Sequence, residues 1–171
     1  MPHEEAARRL AQQIEAATKS ERLSVDAEAV GELRQRGAAE LHRVCAEFVS
    51  SVTKNLSEAE IELAPLAYSP ETFREAGLNV MQISSQGRQL QITFAAGARP
   101  VSTEKFRVPY VLEGEVRAYN QKMLERFEIV TLFVFYCVGE EVSGWRFYDW
   151  RTLHTGPVNQ DFLVKLMAAL F

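Results

Sequence analysis

Residues 129–138, IVTLFVFYCV, are apolar on both phases of a β-strand: Ile129, Phe133 and Phe135 on one, Val130, Leu132, Val134 and Tyr136 on the other. A strand of this kind is stable only when both faces of its sheet are covered there. The helices expected at the two ends of the chain are the available covers. The stretch is about half the roughly 20 residues that a membrane-spanning helix needs, so it is read as a strand and no membrane is expected.

Alternation of period two surrounds it. Residues 78–85 and 88–96 read as a hairpin turning at Gln86-Gly87, with Leu90, Ile92 and Phe94 alternating with Gln89, Gln91 and Thr93. Residues 97–104 read as a loop. Next, Phe106, Val108, Tyr110, Leu112 and Val116 alternate with Arg107, Glu113, Glu115 and Arg117, and YNQK (119–122) reads as a turn. Pro109 favours an edge position or a bulge in that strand. After the doubly apolar strand, GEEVSG turns the chain into GWRFYDWRTLHTG (144–156).

Both ends are helical by periodicity. Ala7, Leu10, Ile14 and Ala17 mark a first helix over 4–18, with a narrow, alanine-rich stripe. A second is expected over about 25–55, capped by Ser24. Its stripe of Val30, Leu33, Gly37, Leu41, Val44 and Phe48 is a candidate helix seam or dimer seam. A helix of that length would span ~45 Å, so it bends near Gly31 or Gly37 or projects towards a partner. The bland alternative lays both helices as a hairpin on the chain's own sheet. SEAE (57–60) fits a capping box, and IELAPL (61–66) equally fits an edge strand holding Pro65. SPETFREAG reads as a two-turn helix started by Ser69 and Pro70 and ended by Gly77. Asn159 caps a last helix whose apolar face is Phe162, Leu163, Leu166, Met167 and Leu170. The expected class is α+β: long N-terminal helices, an antiparallel meander of about five strands, and a C-terminal helix packed on the sheet. Residues 1–56 form the helical segment and 57–171 the sheet with its closing helix, expected to join in one compact unit.

Chemistry is sparse. Cys45 and Cys137 sit in apolar patterns as small hydrophobes, and with His3, His42 and His154 they give no metal-ligand spacing, so no metal and no cofactor are expected. Phosphate-binding glycine motifs, nucleophile elbows and HExxH are missing from the sequence. Net charge is −4, from 19 basic and 23 acidic residues, without the basic excess that phosphate backbones attract, so no nucleic-acid partner is expected. MPHEEAARRL lacks a signal peptide's apolar core, which makes a soluble cytoplasmic protein the expectation.

The exception is GWRFYDWRT. On one strand Arg146, Tyr148 and Trp150 would share a face, interleaving a cation with aromatics. With Arg107 they are the candidate site for an anionic, partly apolar small ligand. Asp149, Arg151 and His154 would make a catalytic group only if they converged around a concave site. The leading expectation is therefore a non-catalytic interaction module that self-associates, as a homodimer, or takes a protein partner. The alternative is a small-ligand domain whose pocket lies between sheet and helices.

Overall fold

The computed structural model describes residues 2–23, 27–102 and 107–171. Two long helices, α1 (Pro2–Leu23) and α2 (Ala27–Thr53), precede an antiparallel sheet and a closing helix, α4 (Gln160–Ala168). The strands are β1 (Glu62–Ala64), β2 (Asn79–Ser85), β3 (Arg88–Val101), β4 (Tyr110–Tyr119), β5 (Val130–Val138), β6 (Ser143–Asp149) and β7 (His154–Pro157). Their order in space is their order in sequence. The class is α+β as expected, with seven strands where about five were anticipated. The additional strands are the short edges β1 and β7, whose few residues carry little periodicity.

Several local expectations change for identifiable reasons. IELAPL supplies edge strand β1, and 57–60 form no helix. SPETFREAG makes only one 3-10 turn, Pro70–Thr72, because Phe73 switches to extended backbone (ψ 130°) and is buried. YNQK opens a short helix, α3 (Gln121–Glu125), whose Asn120 side chain accepts from the Met123 N–H at 2.9 Å. The Gln86-Gly87 hairpin is as read, both residues holding positive φ (49° and 76°) as a two-residue type I′ turn demands. β3 runs on to Val101, through much of the expected loop. The Ser24 cap and Phe106 lie outside the described residues.

The strand reading of 106–117 needs one correction. The β4–β5 register shifts between Tyr110 and Leu112, with Tyr110 opposite Cys137 and Leu112 opposite Tyr136. The extra residue, Val111, marks a bulge, and it flips Tyr110 to the face opposite Leu112. Simple alternation had placed the two together.

The core lies on one face of the sheet. Val30, Ala38, Leu41, Cys45 and Phe48 of α2 and Phe162, Leu163 and Met167 of α4 pack with Ile83, Leu90, Phe94, Leu112, Val116, Val134 and Trp145. In the expected seam, Val30, Gly37, Leu41 and Phe48 are buried, and Leu33 and Val44 are half-buried against the same core. The chain's own sheet thus fills the position foreseen for a partner. Gly37 does allow close approach: a Cβ there would stand 2.5 Å from the Tyr136 ring, and its carbonyl accepts from Trp145 Nε1 at 2.7 Å. Arg34 is buried on α2, its Nε donating to the Val111 carbonyl at 3.2 Å and its terminal nitrogens to Glu75 and the Gly97 carbonyl. These bonds satisfy carbonyls where the sheet is irregular. The helical hairpin is not formed on the sheet. Side chains 3–18 of α1 are all exposed, Leu10 and Ile14 at 56% each. No helix among the described residues is long and apolar enough to cross a membrane.

Candidate functional site

Among the described residues, no helix packs on the sheet's second face. α2 and α4 share one face, and the opposite face carries a separate apolar cluster: Tyr110, Phe135 and Cys137, with Val108, Phe133, Val142 and Tyr148 packed against it. The bulge at Val111 builds this cluster by delivering Tyr110, whose ring tilts against Phe135 at 4.7 Å between centroids. The register draws straight rows across it. Glu113, Phe135 and Arg146 make one row, and Glu115, Phe133 and Tyr148 the next.

A groove of about 770 Å³ opens along this face, lined by Thr93, Ala95, Tyr110, Glu113, Phe133 and Phe135 among others. Its floor is backbone where Gly114 crosses β3. A Cβ on Gly114 would fall 1.9 Å from the Thr93 carbonyl oxygen, so only glycine permits this approach. Tyr110 Oη donates to Glu113 at 3.2 Å, and Arg117 pairs with Glu115 at 2.8 Å. Glu113 and Arg146 stand in one row with Phe135 between them. Arg146 Nε is buried and meets no hydrogen-bond acceptor. Burial pushes the Cys137 thiol up to about 12 against the opposing influence of Arg146, and burial alone takes Cys45 to about 12. Both thiols are therefore poor nucleophiles.

Among the sequence candidates, Arg146 and Tyr148 stand on this face. Trp150 does not join them. β6 ends at Asp149, and Trp150 lies in the following turn, 53% exposed, near Arg151. The turn arises because Asp149 accepts from the Arg151 N–H at 3.0 Å and Leu153 adopts φ 59°, returning the chain as β7. Arg107 is exposed ahead of β4. Asp149 and His154 face each other across the hairpin, with Arg151 3.6 Å from Asp149. They line none of the described cavities, and the ring of His154 rests 5.5 Å from Phe147. Burial is the largest single influence on the Asp149 carboxyl and raises it, but the Arg151 N–H, the Thr152 hydroxyl and the Arg151 charge together hold it below the usual range.

Sequence reasoning missed the groove itself. Its walls come from Tyr110, displaced by the bulge, and from the row alignment of β4, β5 and β6. The one available signal was the second apolar phase of β5. Also missed was His42, read as a flank residue. It is buried, bonded through Nε2 to the Pro65 carbonyl at 2.8 Å and stacked on Tyr68. The described residues contain no group of three potential metal ligands. Comparison with known proteins finds no matching family model, no curated protein and no solved structure of significant similarity.

Proposed function

We propose that this chain is a non-catalytic interaction module that self-associates, using the sheet face opposite α2 and α4. The observation that carries this reading is the apolar second face of β5. Phe133 and Tyr148, both half-buried, lie with the buried Tyr110 and Phe135 in an aromatic cluster on the side that neither α2 nor α4 occupies. Aromatic surface of this kind is enriched where proteins meet. The α2 stripe is already used inside the chain, which moves the expected seam from helix to sheet. Exposed α1, with Leu10 and Ile14 outward, offers a second place for protein contact. Sedimentation velocity across a hundredfold concentration range tests the reading. A dimer that dissociates on Phe133→Asp, with an unchanged thermal midpoint, is the expected result. A wild-type monomer at ~100 μM rejects it.

The ~770 Å³ groove favours a second reading, a small ligand held between the aromatic walls, since its size suits a small molecule. Native mass spectrometry of the purified protein separates the two readings. A retained small mass supports the ligand, and a doubled chain mass supports association.

A further inference from the structure

Two cavities adjoin where the β2–β3 turn meets α4, sharing no lining residue with the groove on the sheet, and their chemistries are opposite. The first, about 250 Å³, lies between the C-terminal half of α2, α4 and that turn. Phe48, Ile61 and Met167 are buried and give it depth, while Leu56, Val164 and Phe171 stand exposed around it. Its one hydroxyl, on Ser85, already donates to the Glu60 carbonyl at 2.8 Å.

The second cavity, about 430 Å³, shares Gln86 and Phe171 with the first. Arg88 and Lys122 line it, and no acidic side chain does so among the described residues. The amides there are engaged within the chain: Asn120 donates to the Leu170 carbonyl at 3.1 Å and Gln121 to Glu125 at 3.1 Å. Arg88 is fixed at the shared wall. Its Nη1 donates to the Gln86 carbonyl at 2.9 Å, and its guanidinium carbon stands 4.3 Å from the centre of the Phe171 ring. Neither the carbonyl nor the ring carries a formal charge, so the cation is left unneutralised by them.

We infer that these joined cavities bind a single-chain anionic amphiphile, a medium-chain fatty acid in kind, with its tail between α2 and α4 and its carboxylate against Arg88 and Lys122. Hydrocarbon gains by leaving water for the first cavity, where a polar group would lose its hydrogen bonds. A volume of about 250 Å³ falls below the ~300–1,000 Å³ of sites for drug-sized ligands, which suits a slender tail. A helix, ~10–12 Å across with its side chains, is far too wide for it. The second cavity supplies what a tail alone leaves unused, two cations of the sign that a carboxylate needs. Hydrocarbon without a charge satisfies only the first cavity, and a small anion only the second.

Octanoate and 1-octanol, followed by amide NMR shifts of the isotope-labelled protein, test this. Octanoate should saturate the protein at concentrations up to ~2 mM, with shifts confined to α4, the end of α2, the β2–β3 turn and α3. 1-Octanol should bind the same cleft ~10-fold more weakly, and Lys122→Glu should weaken octanoate ~10-fold while leaving 1-octanol unchanged. Ala168→Trp, at an exposed position lining the apolar cavity, should fill it and abolish the binding of both. Where that variant lowers the thermal midpoint, Val164→Asp at the half-exposed rim gives the same reading by placing a charge beside the tail. Absence of saturable shifts overturns the proposal, as do shifts centred on other elements. Equal affinity for octanoate and 1-octanol, or octanoate binding that ignores both Lys122→Glu and the cavity variants, overturns it equally.

Discussion

The two faces of the sheet are built from alternate residues of the same strands and have opposite fates. On one, Leu132 and Val134 of β5 point into a core closed by α2 and α4. On the other, Phe133 and Phe135 join Tyr110 and Tyr148 in a layer bordered by Glu113, Glu115 and Arg146. Residue hydrophobicity barely distinguishes them. The difference lies in the neighbours: α2 and α4 pack over the first face, where Tyr136 also meets Glu40, while Glu113, Glu115 and Arg146 flank Phe133 and Phe135 on the second.

Substitutions can break or sharpen that contrast. The largest effect belongs to the closed face: Phe94→Ala, at a fully buried position packed edge-on against Trp145, should cost about 3–5 kcal/mol in urea unfolding. Gly114→Ala should follow, at about 3 kcal/mol, because the new Cβ meets Thr93 backbone that has no flexible end to yield. Phe133→Ala on the open face should cost the single chain no more than about 1 kcal/mol while shifting its association curve. That split between midpoint and association is the sharpest test of the contrast, and equal losses at Phe94 and Phe133 would erase it. The smallest effect is in the β6–β7 turn, where Asp149→Asn should change stability by at most about 0.5 kcal/mol near neutral pH. Its sign with pH is fixed: the folded carboxyl titrates lower than the unfolded one, so its contribution is complete above the unfolded pKa. It fades as pH falls through the folded pKa, and Asp149→Asn should flatten the acid limb of the stability profile accordingly.

Much of this architecture was legible because periodicity is a local property. The 3.6-residue stripe of α2, the I′ turn at Gln86-Gly87 and the Asn159 cap of α4 each declare themselves within a few residues. In α4 the Asn159 side chain accepts from the Phe162 N–H at 3.0 Å, as its position suggests. The open face was only half legible. β5 announced a second buried phase, but the assembly of that surface depends on the Val111 bulge and on register between strands, neither of which periodicity encodes. Trp150 was misassigned for a related reason. An unbroken aromatic run hid the turn set by Asp149 and Leu153, neither of which is a glycine or proline to mark it. Arg34 was invisible because a charged residue on a helix is ordinarily solvent-facing, and its partners at Glu75, Gly97 and Val111 lie far along the chain.

The strand order carries a consequence for how the chain acquires its shape. Every strand pairs with its successor, so each pairing closes a short loop and can form early and locally. The clasp between α2 and the sheet is of another kind: the Trp145–Gly37 bond joins residues 108 apart, and Ser51 meets Gln160 across 109. During synthesis α2 can therefore settle on β1 to β4, with Arg34 bonded to Glu75, Gly97 and Val111, before the last quarter of the chain adds the Trp145 and Gln160 contacts. The α2 stripe meets β1 to β4 before β6 and α4 exist, so the later elements complete a cover that has already begun, and the interval before it closes is when the stripe is most exposed to wrong partners.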